Sequence, residues 1–295
     1  MKEQNYIIAT ASTSDLTREY LEAHHIPYIP YTYEIDGVVY EEDCREETRQ
    51  EVFRKMREGA MLTTAAINPI TYFEFFEKLV QTGKDVLFLD MAEPISSSFW
   101  HASQAAEEIM EKYPDRQVIN VDTRCISGGL GLLVEGVMKL YEAGESKEDV
   151  LQWIENNKLR IAHRFTIDSL EWLRRSGRLS NVSAFLGSAL SIKPVLYVTD
   201  EGVLVATQKV IGRRKALNKI VEQIRAEVKS TEGLVFRIYH ADCREDAEYV
   251  RDQLREAYPE LPDEDITISV LGATIGSHVG PGLFTTFYMT DARRP

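Results

Sequence analysis

Cysteine is scarce in this chain of 295 residues, and Cys44, Cys125 and Cys243 stand far apart with no C-x-x-C pair. That excludes a disulfide framework and a zinc knuckle, and it fits thiols kept reduced in a cytoplasmic protein. The six histidines have no ligand spacing, and His24 and His25, being adjacent, point to different helix faces, so no metal site is expected. Positive charge is short, with 34 Lys and Arg against 47 Asp and Glu for a net charge of −13. Such a balance argues against nucleic acid or an anionic membrane as partner of the whole chain. No apolar run reaches membrane-spanning length, and residues 1–6 are polar and acidic where a signal peptide would be apolar, so a cytoplasmic location is expected. The G-x-x-x-x-G-K-S/T loop, the H-E-x-x-H pair and the G-x-S-x-G elbow are all missing, which leaves nucleotide hydrolysis and serine-hydrolase chemistry without a motif. Gly128-Gly129-Leu130-Gly131 follows a strand but lacks the third glycine of a dinucleotide site, and reads as a place where a helix packs closely.

What remains is an ordinary soluble composition, 44% hydrophobic and 27% charged, with length enough for two domains. The run Val86-Leu87-Phe88-Leu89 is a buried strand stopped by Pro94, and helical spacing resumes over Phe99–Tyr113. Ser96, Ser97 and Ser98 therefore fall at a helix start. Free N–H groups, the helix dipole and hydroxyls converge there, which suits simple capping or an anion-binding turn. Strand and helix alternate through the first half, which predicts a layered, mostly parallel α/β domain over residues 1–158, interrupted by a hairpin at Asp36-Gly37. From 159 to 295 the pattern predicts an α+β domain with a mixed sheet, including a helix over Ala184–Leu190 and an antiparallel pair joined by Asp200-Glu201-Gly202. Gly272–Gly282 reads as a glycine-dense loop between two strands, with His278 as its one side chain able to donate to an anion near neutral pH. A tight turn carrying a solvent-exposed histidine is the alternative.

In chain order, six segments resemble the DegV family, which includes the fatty-acid-binding subunits of bacterial fatty acid kinase. They are Thr63-Thr64-Ala65-Ala66-Ile67-Asn68-Pro69, Ile95-Ser96-Ser97-Ser98-Phe99-Trp100, Val121-Asp122-Thr123, the stretch Asp168–Ser180, Ser191-Ile192-Lys193-Pro194-Val195-Leu196, and Ile275-Gly276-Ser277-His278-Val279-Gly280-Pro281-Gly282. The resemblance implies a binding protein with no catalytic residues and no cofactor: a long-chain fatty acid between two domains, its carboxylate at their seam. It carries the head-group role to Thr64, Ser96, Ser97 and His278, with Thr63 and Arg213 as secondary candidates. It further implies a fatty acid kinase as partner, docking at Arg174, Arg175, Arg178 and Arg214; solvated arginines are the plainer reading. Ala11, Ala65, Ala66 and Ala92-Glu93-Pro94 depart from the family pattern, and lost hydroxyl or amide partners would weaken the head-group site by about 1 kcal/mol each. A phosphoryl-transfer or hydrolytic enzyme acting on a small ligand at the same seam is the alternative, with Asp122 as its acidic candidate.

Overall fold

The computed structural model describes residues 4–178, 192–291 and 293. The helix expected over Ala184–Leu190 lies outside these residues. The first half supplies β1 (Tyr6–Ala11), α1 (Arg18–Ala23), β2 (Tyr28–Ile29), β3 (Thr32–Ile35), β4 (Val38–Glu41), α2 (Glu46–Arg57), β5 (Leu62–Thr64), α3 (Pro69–Val80), β6 (Asp85–Asp90), α4 (Ser98–Lys112), β7 (Val118–Asp122), α5 (Gly128–Ala143) and α6 (Lys147–Asn157). The second half supplies β8 (Ile161–Thr166), α7 (Glu171–Arg175), β9 (Ile192–Val198), β10 (Leu204–Ile211), α8 (Arg213–Glu227), β11 (Phe236–His240), α9 (Arg244–Ala257), β12 (Ile266–Val270), α10 (Ala273–Val279) and β13 (Phe284–Met289).

Four strands form a wholly parallel sheet in the order β2-β1-β6-β7. Its inner strand β6 carries the continuous apolar run because both faces are covered, and Val86, Leu87, Phe88 and Leu89 are fully buried. Phe88 packs edge-on against Tyr72 and Phe76 of α3. The hairpin at Asp36-Gly37 forms as the residues dictate, both in the left-handed region at φ 52° and 80°, and joins β3 to β4. Thr63-Thr64 then add to it as β5, pairing antiparallel with β3, a strand too short for periodicity to reveal.

The second sheet is mixed, in the order β10-β9-β8-β13-β11-β12. Helices α8 and α9 cover one of its faces around Leu217, Ile220, Phe236 and Val250. Its other face meets α5, so the glycine-rich start of that helix lies against the second half of the chain. A Cβ on Gly128 would fall 2.2 Å from the Tyr239 ring, and one on Gly129 would fall 2.2 Å from His163 Nε2. These glycines allow the helix and sheet to approach closely.

The glycine-dense segment differs from its reading as a loop, since residues 273–279 form the helix α10. Its first amides are capped from far away: Glu42 accepts from Ala273 N–H at 2.9 Å and Thr274 N–H at 3.3 Å. Gly276 admits the Phe53 ring, 2.5 Å from where its Cβ would stand. Only after α10 does the chain need left-handed backbone, at Gly280 and Gly282, where side chains would strike Trp172 and Asp168.

Candidate functional site

Between the two sheets, the turn before α5 at Ile126-Ser127 and the helix α10 border a pocket of about 920 Å³, its open mouth included. Phe165, Val198, Leu204, Leu283 and Phe287 give it apolar walls. Thr64, Ser96, Ser97, His278, Arg178 and Tyr31 bring polar groups to its lining.

Strand alternation decides which threonine participates. Thr64 stands opposite Tyr33 in the hairpin sheet and faces the pocket, whereas Thr63 stands opposite Glu34 and is exposed. Thr64 Oγ1 and His278 Nε2 lie 3.0 Å apart, a contact between residues 214 apart in sequence. Burial, then the positive charge of Arg178, depresses the His278 imidazole to about 4, so the ring is neutral at pH 7. His278 is thus largely buried, against the alternative of a solvent-exposed turn histidine, and its neutral ring carries one N–H.

Pro94 helps close a short turn over residues 93–95, after which Ser96 is extended at φ −147° and Ser97 precedes the first residue of α4. Ser97 makes no side-chain capping bond. Ser96 Oγ accepts from Ser98 N–H at 3.2 Å, which leaves its own proton free. Ser98 Oγ accepts from Ile67 N–H at 3.1 Å and so ties the threonine segment to the helix start.

Arginines expected to share one docking role are divided by the structure. Arg178 lines the pocket, its guanidinium donating to Ser176 O at 2.6 Å and reaching Ile95 O at 3.5 Å. Arg174 is exposed and paired with Glu171, and Arg175 lies over the Trp172 ring at 5.8 Å. Arg213 is away from the pocket lining, held by Asp246 at 2.8 Å and near Asp168 at 3.8 Å, and Arg214 stacks 3.5 Å from the Tyr249 ring centre.

Some pocket and seam residues gave no sequence signal. His163 is fully buried, accepting from Ile126 N–H at 3.1 Å, with its other nitrogen 3.0 Å from Ile161 O; burial drives its pKa far down and keeps it neutral. Arg49 donates to the carbonyls of Asp15, Leu16 and Val270 at 2.9–3.2 Å and stands 3.9 Å from Glu42, so a buried charge paired within the first half reaches the second half through the Val270 carbonyl. Asp15 has its pKa pushed up by burial, an effect that Arg49 opposes. Asp122, the acidic candidate for an enzyme, is engaged by Arg124 at 2.8 Å and accepts from Arg124 N–H at 2.9 Å. Among the described residues no group of three His, Cys, Asp or Glu could hold a metal ion, and no helix is long and apolar enough to cross a membrane.

Comparison with known proteins gives a consistent result. A family model described as "Uncharacterised protein, DegV family" matches residues 6–291. A DegV domain-containing protein of Clostridium perfringens is 36% identical over 293 residues, 99% of this chain and 100% of that one. A fatty-acid-binding DegV family protein from Thermus thermophilus superposes with a TM-score of 0.84 at 29% identity, over 97% of this chain and 100% of that one. DegV from Bacillus subtilis, a fatty acid binding protein, gives a TM-score of 0.83 at 26% identity, over 98% and 100% of the two chains.

Proposed function

The chain belongs to the DegV family, and from that premise we propose that it binds one long-chain fatty acid in the seam pocket, carboxylate towards Thr64, Ser96, Ser97 and His278. The observation that carries this reading is a mostly apolar pocket with hydroxyls, a neutral histidine and an arginine in its lining. A carboxylate leaving water must have its hydrogen bonds replaced, and these groups can do so. In the tautomer protonated at Nε2, His278 donates to Thr64 Oγ1 and the threonine proton is free for the ligand; in the other, Thr64 donates to Nε2 and still offers its oxygen's place at the site. Arg178 adds the only Lys or Arg charge among the described lining residues. The tail needs only apolar wall: some fifteen methylenes at ~0.8 kcal/mol each give on the order of 12 kcal/mol before ordering costs.

Presentation of the acid to a fatty acid kinase, which would phosphorylate the carboxylate, belongs to the same proposal. Exposed Arg174 and Arg175 in the short helix just before Arg178 support it, as basic groups near the pocket. We place the boundary between the two halves at 158/159, a reading supported by the single turn over 158–160 that links α6 to β8.

Organic extraction and mass spectrometry of protein purified without added lipid test the reading. One long-chain acid per chain is expected, together with a rise in melting temperature when palmitate is added to stripped protein. Absence of both would refute it.

A further inference from the structure

One group in the pocket is left without a task by this carboxylate site. Tyr31, between β2 and β3, lines the pocket with a side chain only 2% exposed, and its hydroxyl has no hydrogen-bond partner among the described residues. The hydroxyls of Ser98, Ser96 and Tyr72 stand close enough to ease its ionisation, but none meets it with the distance and angles of a hydrogen bond. Behind it the Tyr72 hydroxyl and Asp90 Oδ2 are likewise buried and unpartnered. An unmet buried hydroxyl costs roughly 1–3 kcal/mol, so three unmet oxygens in one cluster call for a partner. The Tyr31 N–H donates to Ser12 Oγ at 3.0 Å and its carbonyl accepts from Glu42 N–H at 2.9 Å, which pins the backbone on both sides. Burial, reinforced by Asp90, pushes the phenol pKa far above its ordinary value, so the group remains a protonated donor.

We propose that Tyr31 is a ligand-binding residue whose O–H donates to the bound carboxylate beside Ser96, giving the pocket its preference for an acid over a neutral head group. This rests on the fatty-acid reading above. A carboxylate can accept about four hydrogen bonds, and the substitutions Ala65 and Ala66 place two exposed methyl side chains at the pocket where polar ones could have reached the head group. Tyr31 supplies a donor from the buried part of the pocket lining. Tyr72 and Asp90 do not line the pocket and act only as its polar backing.

Calorimetric titration of delipidated protein with decanoate and with 1-decanol separates contact from packing. Tyr31→Phe should weaken decanoate by roughly ten- to hundredfold, the range of one charge-assisted hydrogen bond, while 1-decanol changes by less than about threefold. Tyr72→Phe, which removes a neighbouring hydroxyl outside the lining, should leave decanoate within about threefold. Unchanged decanoate affinity in a folded Tyr31→Phe, equal losses for acid and alcohol, or an equal loss in Tyr72→Phe would overturn the assignment alone. Failure of the parent protein to bind decanoate would overturn the fatty-acid reading with it.

Discussion

Asp90 ends β6, an inner strand of the parallel sheet, with no exposed surface, one oxygen accepting from Met91 N–H at 2.8 Å and the other without a partner among the described residues. Burial, with Asp122 adding like charge, raises its pKa from 3.8 to about 7. The folded chain thus holds this proton more tightly than the unfolded chain does. Stability from it is complete below pH 3.8 and is lost as pH rises through 7. Between pH 5 and pH 8 the loss amounts to about two pH units at 1.4 kcal/mol each, or about 3 kcal/mol. Asn keeps the shape and the acceptor for Met91 N–H and carries no charge at either pH. The stability of Asp90→Asn relative to the parent should therefore improve by about 3 kcal/mol from pH 5 to pH 8, read by urea denaturation of stripped protein. A difference between the two proteins that does not change with pH would refute the reasoning. The same charge argument links Asp90 to the ligand. A carboxylate bound nearby favours the protonated aspartate, so fatty acid affinity should fall above pH 7 in the parent and fall less in the variant, a comparison for calorimetry at pH 6 and 8.

Thr64→Val should weaken palmitate binding by ~1–3 kcal/mol, and His278→Ala should add little to it, because the histidine acts through the threonine; a double-mutant cycle reads the coupling. Gly129→Ala puts a methyl group 2.2 Å from His163 Nε2 and should cost about 2–4 kcal/mol in chemical denaturation, since α5 and the sheet cannot both keep their places. Glu42→Ala removes the cap of α10 and one partner of buried Arg49, and should lower stability by about 3–5 kcal/mol in the same assay. Arg214→Glu, away from the pocket, should leave the extracted lipid unchanged by mass spectrometry.

The elements that could be read from the residues are those whose causes are local. The apolar run of β6 and the Asp36-Gly37 turn form from their own few residues, and both stand where the pattern puts them. Helix α10 was misread because its cap, Glu42, lies 231 residues away and its glycines answer to Phe53, Trp172 and Asp168. Thr64 and His278 were singled out by their motifs, and the structure brings them together; Thr63 and Arg213 were singled out beside them, and it turns them away. Tyr31, Asp90 and His163 gave no sign, since a buried tyrosine, a strand-ending aspartate and a core histidine have no spacing that separates a pocket from a core. Arg178 is exposed like Arg174 and Arg175, and only the Ser176-Gly177 turn sets its guanidinium at the pocket beside Ile95, which no spacing announces.

Titration of stripped protein with the saturated acids from eight to eighteen carbons, at one pH and salt concentration, tests the central claim most directly. A tail buried in the seam predicts one acid per chain and an affinity that rises about fourfold per added methylene, ~0.8 kcal/mol each, until the pocket is filled. An affinity independent of chain length, or no binding at any length, would contradict it.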